Sequence, residues 1–115
     1  MSLHIYMTAT IPTTVFETGI THNLNTMASK VPVGNEITLY TVLWKPEEIF
    51  GTKIIAYDLI KFLDIGLIYL QNNKDKLQKH NPSNGWGDYE DLVEVVKDYL
   101  KHCEEYPTAT IEVCR

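Results

Sequence analysis

The chain has 115 residues, 44% hydrophobic and 22% charged, which is the make-up of one globular domain with a single core. Fifteen acids against ten bases leave a net charge of −5. The bases are scattered apart from Lys74, Lys76 and Lys79, which argues against a duplex nucleic-acid partner. The richest apolar run, Ile54 to Leu70, is interrupted by Asp58, Lys61 and Asp64 and is too short and too charged for a bilayer span.

Leu3 to Ile11 alternates Leu3, Ile5 and Met7 with His4, Tyr6 and Thr8, a half-buried strand ended by Pro12. Thr13 to Gly19 reads as a turn or a short extended piece. Thr21 to Val31 reads as a helix, with Leu24, Met27, Ala28 and Val31 on one face and Thr21 or Asn23 as the cap. Pro32 and Gly34 stop it. Ile37 to Trp44 admits two readings. Its β-branched residues favour a strand, whereas a helix capped by Asn35 would bury Ile37, Tyr40, Leu43 and Trp44. Pro46 followed by Glu47 and Glu48 signals a helical turn that ends near Gly51.

Thr52 to Asn72 reads as a long central helix capped by Thr52, with only Lys61, Asp64 and Gln71 wettable. Gly66 inside it predicts close approach of another backbone. Asn73 to His80 is a polar turn or short helix anchored by Leu77. Asp88 to Glu105 carries the strongest helical stripe, from Tyr89 to Cys103, and Asp88 with Asp91 has capping-box spacing. Thr108 to Cys114 alternates as a final strand after Pro107. These elements predict one α+β domain over residues 1–115. A two- to three-stranded sheet pairs the first and last strands, and about four helices pack against it.

Three segments carry the residue types of a binding site. In Asn81-Pro82-Ser83-Asn84-Gly85-Trp86-Gly87-Asp88, Gly85 and Gly87 permit positive φ, and Asn84 and Trp86 offer an amide and an aromatic wall. The loop feeds a helix N-terminus, a place that favours anions, but Asp88, Glu90 and Asp91 already supply negative charge there. In Thr21-His22-Asn23, His22 offers a titrating group and Asn23 an amide reader. In Trp44-Lys45-Pro46-Glu47-Glu48, an aromatic stands beside two carboxylates. Each segment also has a plain structural use, respectively core plugging, helix capping and dipole complementation. Cys103 and Cys114 have no CxxC or Cys/His ligand spacing, so neither a metal centre nor a cofactor is expected. Cys103 falls on an apolar helix face and His102 on the polar one. Met1-Ser2-Leu3-His4 lacks the basic and apolar regions of a leader, so a cytoplasmic chain is expected.

The stretches Ile20-Thr21-His22-Asn23-Leu24, Leu43-Trp44-Lys45-Pro46-Glu47-Glu48 and Asn81-Pro82-Ser83-Asn84-Gly85-Trp86-Gly87-Asp88-Tyr89 continue into Tyr99-Leu100, Cys103 and the Thr110 to Arg115 tail. Together they resemble a family of short uncharacterised proteins of phages, prophages and some bacteria, over roughly Gly19 to Arg115. The resemblance implies that the three segments recur together, as a shared site or a shared fold signature. It also implies helix around Leu39 to Trp44. It implies no particular activity.

The leading expectation is a small non-catalytic module that binds a small molecule or a host protein. In it His22, Trp44, Asn84 and Trp86 converge on one concavity. One alternative is a small hydrolase or transferase with His22 as base and Glu47 or Glu48 as its partner. Another is an oligomeric structural protein, with Tyr6, Tyr40, Tyr57 and Tyr69 available for an interface.

Overall fold

The computed structural model describes residues 2–9, 13–83, 85 and 87–115. The expected strand end at Pro12 and the expected roles of Asn84 and Trp86 lie outside the described residues.

Strand β1 (Ser2–Thr8) turns Leu3, Ile5 and Met7 fully inward, as its alternation requires. It is the centre of an antiparallel three-stranded sheet of order β2-β1-β5. Strand β2 (Thr14–Thr21) pairs Leu3 with Ile20 and Ile5 with Thr18. Strand β5 (Thr110–Cys114) pairs Ile5 with Val113 and Met7 with Ile111. The α+β class and the pairing of the first and last strands are as expected. The Thr13–Gly19 piece is more than a turn, because the β1 ladder organises it as a full edge strand.

The expected Thr21–Val31 helix is a 3₁₀ turn over His22–Leu24 followed by helix α1 (Asn25–Ser29). Its apolar face is still Leu24, Met27, Ala28 and Val31, all buried. Thr21 caps the turn, its hydroxyl accepting from the Asn23 N–H at 3.4 Å. Both readings of residues 37–44 hold in part. Ile37–Thr38 (β4) pairs with Pro32–Gly34 (β3), and Leu39–Trp44 forms helix α2. The Leu39 N–H donates to the Val31 carbonyl at 2.8 Å, so the hairpin starts that helix, and Asn35 does not cap it. Helix α3 (Glu47–Phe50) follows Pro46 and ends at Gly51.

Helix α4 (Ala56–Asn72) begins four residues later than the sequence suggests, and Thr52 does not cap it. The cause is the sheet. The Ile111 N–H donates to the Ile54 carbonyl at 2.9 Å, and Ile55 bridges to Thr110. This holds Ile54 and Ile55 extended along the outer edge of β5. The first amides of α4 then find backbone acceptors, with Ala56 donating to Ala109 and Tyr57 to Pro107, each at 2.9 Å. That satisfies donors a side-chain cap would otherwise serve. Gly66 does meet a close neighbour, but it is side chains rather than a backbone. A Cβ there would lie 3.1 Å from Leu39 Cδ1 and 3.3 Å from Val33 Cγ1.

Helix α5 (Lys74–Gln78) buries Leu77. Helix α6 (Tyr89–Glu105) buries Tyr89, Leu92, Val96, Tyr99, Leu100 and Cys103, the stripe its periodicity predicts. The described helices thus number six and a 3₁₀ turn, more than the four expected, because several are a single turn long. Helix α6 packs on α4 and on β2, with Phe16 stacked between Tyr99 and His102 at ring distances of 5.9 and 4.3 Å. His102 is accordingly half-buried rather than on a fully polar face. No helix among the described residues is long and apolar enough to cross a membrane.

Candidate functional site

Two features meet at the Thr21–Leu24 turn: the Trp44–His22 pair with its Arg115 clamp, and beside it a cleft to which the three segments contribute only Thr21 and Gly87 among the described residues. Helix α2 buries Trp44 to 2% exposure, and an indole N–H so placed needs an acceptor. His22, raised on the 3₁₀ turn, supplies it: Trp44 Nε1 donates to His22 Nδ1 at 2.8 Å. Nδ1 therefore carries a lone pair, and the neutral ring holds its proton on Nε2. The two rings are tilted with centroids 6.2 Å apart, and Tyr40 stacks on Trp44 at 5.5 Å.

Arg115 holds the backbone of Trp44. Its guanidinium donates to the Trp44 carbonyl at 2.8 Å and to Glu47 Oε2 at 2.7 Å. Burial works to raise the Glu47 pKa. Its own backbone N–H, the Arg115 guanidinium and Lys45 outweigh that and hold the carboxyl below the ordinary glutamate value. Glu48 lies 3.8 Å from Lys45 Nζ. The hydrogen-bonded partners of His22 and Glu47 are thus Trp44 and Arg115, not each other, and the basic nitrogen of His22 is occupied by an indole proton. A base–carboxylate dyad needs different pairings.

Gly87 of the loop approaches the same turn. Gly85 and Gly87 have φ of 75° and 89°, the left-handed region expected of glycine. Gly87 lies so close to the turn that a Cβ would stand 2.7 Å from Thr21 Cγ2 and 3.3 Å from Leu24. Beyond Gly87 a capping box closes the start of α6. Asp88 accepts from the Asp91 N–H at 3.0 Å and Asp91 accepts from the Asp88 N–H at 3.1 Å. The Tyr89 N–H donates to Asn81 Oδ1 at 2.9 Å. These amides are already engaged, which agrees with the acids in disfavouring an anion there.

Between β2, the 3₁₀ turn and α6 lies an open cleft of about 310 Å³. Ile20, Leu24 and Val95 give it an apolar floor, Thr21 and Gly87 a wall, and Asp91 and Glu94 an acidic rim. Its volume is at the lower end of small-ligand sites. Asn23 is exposed at the turn.

Comparison with protein-family models, with curated proteins and with solved structures gives no significant match.

Of the described residues that the sequence singles out, Gly87 lines the cleft, whereas His22, Asn23, Trp44, Glu47 and Gly85 stand outside its lining. Sequence reasoning missed Arg115 as a clamp on Trp44, Val95 in the cleft floor and Glu94 on its rim. Arg115 reaches partners 71 and 68 residues away, so no local pattern could announce it. Glu94 and Val95 read only as the polar and flanking faces of a helix. Among the basic residues, Lys74 pairs with Glu90 at 3.2 Å and Lys76 donates to the Tyr69 hydroxyl at 3.4 Å. Among the described residues no group of three or more His, Cys, Asp or Glu could hold a metal ion.

Proposed function

We propose that the protein is a small non-catalytic binding module whose site is the cleft beside the Thr21–Leu24 turn. The observation that carries this reading is the meeting of remote segments at that turn. Gly87 presses on Thr21 and Leu24 and lines the cleft with them, while the Trp44–His22 bond braces the same turn from outside the cleft lining. An apolar floor under Asp91 and Glu94 suits a ligand with an apolar body and a cationic group, whether an organic amine or a lysine- or arginine-bearing segment of a protein. The net charge of −5 favours the same sign of partner. The phage and prophage resemblance belongs with this reading, as a cytoplasmic modulator that captures a small molecule or a host protein.

Amide NMR titration with matched organic amines and carboxylates tests it. Amines should shift the resonances of Thr21, Leu24, Asp91 and Glu94, and Glu94→Gln should weaken that response. Binding of carboxylates in preference, or shifts confined to other elements, would overturn the reading.

A further inference from the structure

The outward face of α4 is not the narrow wettable stripe its sequence suggests. Tyr57 is 69% exposed, Ile68 50% and Ile65 40%. Three large apolar side chains on one helix face are more than the scattered exposure of an ordinary surface. Along the centre of the face run Tyr57, Lys61, Asp64 and Ile68, spaced four, three and four residues apart, the alternation of a coiled-coil seam. Lys61 and Asp64, one turn apart, make no ion pair with each other, and among the described residues neither has another ion-pair partner.

The order of these four residues is self-complementary. Two copies of α4 laid antiparallel about a two-fold axis between Phe62 and Leu63 bring Tyr57 opposite Ile68 and Lys61 opposite Asp64. The same pairs are then repeated on the other side of the axis. That is the reciprocity an isologous contact requires, with opposite charges meeting in the middle and apolar residues at both ends. At the start of α4 a shallow concavity of about 340 Å³, lined by Tyr57, Asp58, Lys61 and Phe62, stands where Ile68 of the second copy would insert. An unrelated partner would have no need of matching halves on one helix. We infer that the exposed face of α4 is a homodimer interface, antiparallel, with the Lys61–Asp64 pairs at its centre. The seam spans only about 16 Å, so the dimer is a weak one that forms as concentration rises.

Sedimentation velocity of the intact chain from about 10 µM to about 1 mM, a range that resolves weak association, reads this directly. A concentration-dependent dimer is expected. Lys61→Asp and Asp64→Lys each set like charges against one another across the axis and should raise the dissociation constant about tenfold or more. The double variant Lys61→Asp/Asp64→Lys restores both pairs and should restore association. Ile68→Asp should abolish it. All these positions are exposed, and far-UV circular dichroism confirms that each variant is folded. A monomer at every concentration overturns the inference. So does a dimer insensitive to these substitutions, or a double variant as weak as the singles.

Discussion

Replacing Gly87 by alanine should separate two costs that the loop combines. At φ of 89° an L-residue is strained by about 1–2 kcal/mol. The new methyl would also stand 2.7 Å from Thr21 Cγ2, and forcing a carbon into such a gap costs about 1–3 kcal/mol more. Thr21 cannot readily yield. Its χ1 is stiff, and its hydroxyl is held by the Asn23 N–H at 3.4 Å. Reduced freedom of the unfolded chain offsets about 0.4–1 kcal/mol. The expected net loss is about 1–4.5 kcal/mol. Gly85→Ala is the control. Its φ of 75° carries the same strain, but a Cβ there has nothing within 4 Å, so the loss should be only about 1 kcal/mol. Urea unfolding followed by circular dichroism measures both, and the m-values should be unchanged. If Gly87→Ala is no more destabilising than Gly85→Ala, the loop does not press on the turn and the convergence argued for the site fails.

Three further outcomes follow. His22→Ala orphans the N–H of a nearly buried indole, so it should lower stability by about 1–3 kcal/mol, whereas Asn23→Ala at an exposed position should change it by less than about 0.5 kcal/mol; equal losses on thermal unfolding would contradict the Trp44–His22 bond. Cys103 is buried, with its thiol pushed up to about 12, while Cys114 is exposed; a thiol reagent at mildly alkaline pH should therefore modify one cysteine in the folded protein and two in denaturant. Glu47 is held ionised below the ordinary glutamate value by its backbone N–H, Arg115 and Lys45 against the opposing effect of burial. Its contribution to stability is present above that ordinary value and is lost as pH falls through the lowered folded one. Glu47→Gln should thus melt earlier than the parent at neutral pH and together with it in acid; a melting gap that persists in acid would sink the Arg115 clamp.

The elements legible in the sequence are those decided by their own neighbourhood. Strand β1 alternates cleanly, and α6 has both a continuous apolar stripe and a capping box, so period and cap agree. Strand β2 lacks such a signature because most of its side chains are at least partly exposed, and its strand character comes from the ladder with β1. The start of α4 is set by carbonyls of Pro107 and Ala109, some fifty residues on, which no local window can contain. At the site, His22 and Trp44 could be picked out as chemically suitable, but their bond is a product of packing. Arg115 offered no signal, since a single arginine just after a short strand acquires its partners only when β5 is docked.

The position of β1 between β2 and β5 also bears on the order in which the molecule forms. Closing the β1–β2 hairpin takes a handful of residues between Thr8 and Thr14, whereas pairing His4 with Cys114 closes nearly the whole chain. On chain-entropy grounds the second closure costs on the order of 4 kcal/mol before any contact rewards it, against roughly 1.6 for the hairpin. Strand β5 should therefore join after the rate-limiting barrier, with transition-state φ-values near zero at Val113 and higher in β1 and β2. Arg115 arrives with that strand, so the clamp on Trp44 is among the last contacts made and, by microscopic reversibility, among the first released.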